Sequence, residues 1–232
     1  MSTTTDKIAQ IDSGETSPLA RPIKDYCQVG IDLVWQRQLI FAAALLLAAF
    51  YYDYRLAIGI LVLTVISELY DYGVFRNVLN WDGQGEAEAR KFLIQIYFGT
   101  VLSSMGISFY AISIAFLQGP TTHFMPLFFL FAAGLFAAMN NHQIKSVVVT
   151  RLLIYGVTFL FIPIRDIVLT KAPLQSELWA QFFTSIFVMF FVIDSSRHYL
   201  QLYRTQLAQM RPPQRIRQRR ETTSHSRINI NA

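Results

Sequence analysis

The sequence predicts an all-α polytopic membrane protein, a bundle of about six transmembrane helices with both termini cytoplasmic. Three observations carry this reading. Six apolar stretches, starting near Gln38, Leu56, Lys91, Thr122, Val147 and Leu178, take up most of the chain between Trp35 and Arg197. Hydrophobic residues make up 53% of the 232 positions and the mean hydropathy is +0.35, which a water-soluble domain could not carry without exposing apolar surface. Lys and Arg, finally, gather on alternate loops. About 20 mostly apolar residues cross the hydrocarbon layer, and backbone polar groups in lipid must pair internally, so each stretch is read as a helix.

Along the chain, residues 1–34 form a polar N-terminal cytoplasmic arm. It lacks the basic, apolar and small-residue pattern of a cleavable signal peptide, so the first span is expected to be its own insertion signal. The single cysteine, Cys27, lies in this arm, excludes a disulfide framework and is expected to be a reduced bystander. Residues 35–197 form the six-helix domain. Its first two stretches, Gln38 to Tyr54 and Leu56 to Gly73, are joined by almost nothing and should form a tight hairpin. The third carries Gly99, Ser103, Ser104, Gly106 and Ser108, small residues that let a neighbouring helix approach. The fourth opens with His123 and Pro126 and closes on Met139–Asn140–Asn141–His142–Gln143. In the fifth, Pro163 should kink or end the helix just before Arg165–Asp166. The sixth leaves the bilayer near Asp194 without Gly or Pro and continues as a cytoplasmic signal-helix stub, residues 198–210. Leu200, Tyr203 and Leu207 recur there at helical spacing, as a dimeric seam would require.

Orientation follows because positive residues in short loops stay on the cytoplasmic side. Arg21, Lys24 and Arg37 precede the first span, Arg76, Arg90 and Lys91 flank the second loop, Lys145 follows the fourth span, and the C-terminus carries many more. The opposite loops hold Arg55, then none, then Arg165 and Lys171.

Charged groups at membrane level are functional candidates because desolvating them is costly unless they are paired. Glu68, Asp71, Arg151 and Asp194 all fall at the cytoplasmic level, as a polar network in which Arg151 would pair with Glu68 or Asp71, or as separate charges reaching the headgroups. His123, Asn140, Asn141 and His142 are candidate signal or lipid contacts, with His123 expected at the outer surface. The histidines form at most one pair at the same level, so no haem, metal or other cofactor is expected. Phosphate-loop, dinucleotide, zincin and nucleophile-elbow motifs are absent.

Three runs, RLAIGILVLTVISELYDYGVFRNVLNWDG, GPTTHFMPLFFLFAAGLFAAMNNHQIKSVVVTRLLIYGVTFLFIPIRDI and SELWAQFFTSIFVMFFVIDSSRHYLQLYRTQL, resemble the membrane-embedded N-terminal sensor region of bacterial hybrid sensor histidine kinases, alphaproteobacterial ones in particular. The resemblance covers about Trp35 to Gln209 and rests on texture rather than on a catalytic motif. It implies an inner-membrane signal-receiving module, usually dimeric, whose last helix drives a phosphoacceptor domain. No phosphoacceptor box, ATP-binding glycine box or receiver domain follows Met210, so the chain is expected not to be an enzyme.

Residues 211–232 read instead as a basic disordered tail, with Arg211, Arg215, Arg217, Arg219 and Arg220. Such a tail suits anionic lipid, and positive-inside bias accounts for it without nucleic acid. The leading functional expectation is a sensor module of a two-component system without its own output domain, truncated or stand-alone, acting as a homodimer or with a full-length kinase. The alternatives are an accessory or structural subunit of a larger membrane complex and, opposed by the lack of a charged path across the midplane, a small-solute transporter.

Overall fold

The computed structural model of the chain describes residues 17–210, so the basic tail Arg211, Arg215, Arg217, Arg219 and Arg220 lies outside the described residues. Seven helices follow one another among them: α1 (Ala20–Asp32), α2 (Val34–Tyr51), α3 (Tyr54–Asn80), α4 (Glu86–Gln118), α5 (Phe124–Asn140), α6 (Lys145–Thr170) and α7 (Glu177–Met210). Five of them, α2, α3, α4, α6 and α7, are long and apolar enough to cross a membrane, whereas α5 is apolar but has 17 residues. At 1.5 Å per residue α4 is about 50 Å long and α5 about 25 Å, on either side of a hydrocarbon layer of roughly 30 Å.

The distribution of side chains is that of a bundle solvated by lipid. Interior positions are small: Ala44 and Ala48 of α2, Ala57 of α3, Gly99, Ser104 and Ala111 of α4, Ala137 and Ala138 of α5 are all buried. Many large apolar side chains point outward, with Phe50 84% and Phe187 73% exposed. Water would penalise each such side chain by about 1.5–3 kcal/mol, while lipid does not, and small interior residues bring the helix backbones together.

Successive helices from α2 to α7 alternate in direction, which gives the bundle two ends. At one, here called the far end, the α2–α3 turn, the start of α5, the last turns of α6 and the start of α7 meet through Tyr52, Gln118, His123, Asp166 and Gln181. The expected hairpin is present, since only Tyr52 and Asp53 separate α2 from α3, and Asp53 caps α3 by accepting a 2.7 Å hydrogen bond from the Arg55 N–H. At the near end Ile23, Tyr26 and Cys27, spaced three and four apart on α1, pack with Val74, Phe75 and Val78 of α3, Trp81, and Ile144 and Val147 at the head of α6. Tyr26 meets Phe75 edge to face at 5.7 Å, and Gly30 gives the Phe75 ring space that a side chain would fill. The Ser17 N–H donates to the Gly83 carbonyl at 3.0 Å, tying the start of α1 to the α3–α4 loop.

Two local expectations change. The stretch around Cys27 is an amphipathic helix with one buried face, and the thiol is fully buried. Pro163 sits inside α6, which runs on to Thr170. The ring removes one backbone donor, a loss that neighbouring helices and hydroxyl side chains offset in membrane helices.

Candidate functional site

Between α2, α3, α4, α5 and α6 lies a partly open cavity of about 140 Å³. Its walls are apolar, from Ile40, Phe41 and Ala44 on α2 to Phe129, Ala133 and Phe136 on α5. Tyr110 of α4 spans it toward the far end, donating to the Ala44 carbonyl at 3.0 Å, its ring edge-on to Phe129 at 5.5 Å. Arg37, Glu68, Asp71 and Arg151 supply the charged lining. The volume matches the roughly 150 Å³ cavities that hold a benzene-sized molecule.

The charged floor is wired differently from the expected pairing. Glu68 pairs with Arg37 of α2 at 2.8 Å, both side chains largely buried. Arg151, at the head of α6 and 8% exposed, donates from Nη2 to the Tyr26 hydroxyl of α1 at 3.5 Å. Burial raises the Tyr26 hydroxyl above its usual range, with Arg151 opposing, so the phenol stays protonated and its oxygen accepts. Asp71 is buried against Gly99, where a Cβ would collide with its Oδ1. No ion pair joins Asp71 to Arg151 among the described residues. The Nε atoms of both Arg37 and Arg151 are buried without a hydrogen-bond partner there. Two guanidinium groups against two carboxylates leave the floor with no formal net charge and with donors to spare. Beside it, burial pushes the Cys27 thiol up to about 12, helped by the charge of Asp71.

A second polar cluster, at the far end, is anchored on His123. Instead of lying at a surface, His123 is fully buried, its Nδ1 2.7 Å from Gln118 Oε1 and its Nε2 against Asp166 Oδ2. As the Gln118 amide is oriented, each ring nitrogen faces an oxygen, one of the amide and one of the carboxylate. Gln118 in turn donates to the Tyr52 hydroxyl, and Arg165 approaches Asp166 Oδ1 at 3.3 Å while stacking on Phe116 at 3.9 Å. The cluster joins α2, α4, α5 and α6, and both carboxylate and imidazole are shut away from solvent, the arrangement of a clasp.

The remaining candidates are dispersed. Asn140 donates to the Phe136 carbonyl one turn back at 3.1 Å. Asn141 is buried at the C-cap of α5. His142 lies 2.6 Å from the Met139 carbonyl and stacks near Tyr199 and Tyr203 of α7. Asp194 is exposed on α7, away from the other three charges. Arg37, Gln118 and Asp166 were missed by sequence reasoning because each sits at a helix end, where a polar residue looks interfacial. Their only signal was position: Asp166 three residues beyond Pro163, inside an apolar helix.

In comparisons with known proteins, no family model, no curated protein and no solved structure matches the chain. The resemblance to sensor kinases gains nothing from them.

Proposed function

We propose that the protein is a membrane-embedded sensor, the input module of a two-component system, which receives a small uncharged amphiphile in the cavity between α2 and α6. The observation that carries this reading is the cavity itself: apolar walls, a size suited to one small ligand, and a floor of balanced charge. A carboxylate or ammonium ligand would unbalance that floor in a low-dielectric site, whereas an uncharged amphiphile would leave it balanced. The ligand would touch α2, α3 and α6 at once and could shift their relative positions, which α7 would carry out of the bilayer. The two-component assignment, the inner membrane, a homodimer or kinase partner, and six spans with cytoplasmic ends rest on the sequence resemblance and on the Lys/Arg pattern.

The test is thermal unfolding of the protein in lipid nanodiscs with uncharged aromatic or short-chain alcohols and amides, and with their carboxylate and ammonium analogues. At a hundredfold excess over Kd, binding should add about 2.7 kcal/mol, roughly 5–10 °C in Tm for a chain of this size. The gain is expected for the uncharged series alone and should vanish in Ala133→Phe, which fills the cavity. Stabilisation by none of the three series, or equal stabilisation of the filled variant, would remove the receptor and leave the accessory-subunit reading.

A further inference from the structure

On the opposite side of α6 a larger groove of about 650 Å³ runs between α5, α6 and α7, within the size range of sites that hold sizeable ligands. Its body is apolar: Leu152, Val149 and Leu160 of α6 face Val188, Met189 and Val192 of α7. Gly134 and Gly156 line it, and Met189 lies close over Gly156. The near-end mouth is cationic, with Lys145, Arg197 and Arg204 and the imidazole of His142. No carboxylate lines it, and Asp194 is exposed on α7 outside the lining. None of the three cations has an ion-pair partner among the described residues. Lys145 also opens α6, whose N-cap Ile144 has no capping side chain, so the positive end of that helix adds to the mouth.

A long apolar trough that ends in clustered unpaired cations is complementary to one kind of molecule. We propose that the groove binds an anionic phospholipid, its headgroup phosphate held among Lys145, Arg197 and Arg204 and its acyl chains lying along α6 and α7. The site is built by the folded bundle, unlike a basic tail adsorbed on a charged surface, so it selects a single lipid. It would occupy the α5, α6 and α7 face whether or not the cavity on the other side of α6 takes a ligand.

Native mass spectrometry of the full chain released from mixed phosphatidylglycerol and phosphatidylcholine decides the matter. One phosphatidylglycerol per chain should survive activation, at least tenfold in excess over phosphatidylcholine. Lys145→Gln with Arg197→Gln and Arg204→Gln should weaken its retention by about fivefold per charge, on the order of a hundredfold together. The same three charges removed elsewhere, in Arg76→Gln with Arg90→Gln and Lys91→Gln, should leave it unchanged. Val149→Trp alters an exposed position, so the fold is kept, and should displace the lipid by filling the trough. Equal retention of both lipids, equal loss in the two triple variants, retention in Val149→Trp, or displacement by millimolar glycerol phosphate alone would each overturn the proposal.

Discussion

His123 shows how far a single residue's role depends on partners distant in sequence. Its imidazole and the Asp166 carboxylate are both fully buried and in contact, so each is tolerated because the other is present. Removing one partner of a buried pair costs about 3–5 kcal/mol, since the survivor is left desolvated. His123→Ala should fall near the lower figure, because Arg165 still approaches Asp166. Asp166→Ala should be damaging too, and the double variant should lose clearly less than the two single losses combined, as measured by unfolding in detergent. Additive losses would show that the clasp contributes nothing. From sequence alone His123 looked interfacial, because it stands where the polar Pro120–Thr121–Thr122 turn gives way to the apolar run that starts at Phe124. The same limit hid Arg37, whose partner Glu68 is 31 positions away, and diverted Arg151 from the Tyr26 hydroxyl that it meets. Charge alone suggested carboxylates for Arg151, whose hydrogen-bond partner belongs to a segment read as a polar arm. Glu68, Asp71 and Arg151 nonetheless line one cavity, because membrane-level charges have few places to go.

At the level of elements, apolar runs identified six of the seven helices, with starts displaced by a few residues. Helices α2, α4 and α7 begin at Val34, Glu86 and Glu177, outside the apolar windows, since a helix need not stop where lipid ends. The missed element was α1, which is short and apolar on one face only, a pattern that hydropathy averaging erases. Its presence changes the reading of α7. The stripe of Leu200, Tyr203 and Leu207 is half-buried within the chain, where Tyr203 donates to Asp25 Oδ2 of α1 at 2.9 Å and meets the His142 ring at 5.2 Å. One residue of that stripe, Tyr203, is thus engaged within the chain itself. Tyr203→Phe removes that hydrogen bond without removing the ring, so it should speed hydrogen exchange of α1 amides by up to about fivefold, corresponding to about 1 kcal/mol. Exchange in α3 should not change. Unaltered α1 exchange would mean that α7 does not hold α1 in place.

For the whole molecule, the alternation of helices puts the α1 end and the α5–α6 loop on one side and the α4–α5 turn on the other. Reporter fusions after Gln118 and after Met210 should therefore report opposite sides of the membrane, with the Met210 fusion cytoplasmic. Finding both on one side would mean that the 17-residue α5 does not cross. The position of α1 bears on how such a chain is assembled. It is the first of the described helices to be synthesised, yet what it rests on comes later: the Gly83 carbonyl, Trp81, Ile144, Val147 and finally Tyr203. Its main support, α3, is made before α4 to α7, and until α1 docks there the Cys27 thiol lacks the neighbours that bury it. Buried and held protonated afterward, that thiol is a built-in clock: its loss of reactivity toward a maleimide marks when α1 of a newly made chain has docked.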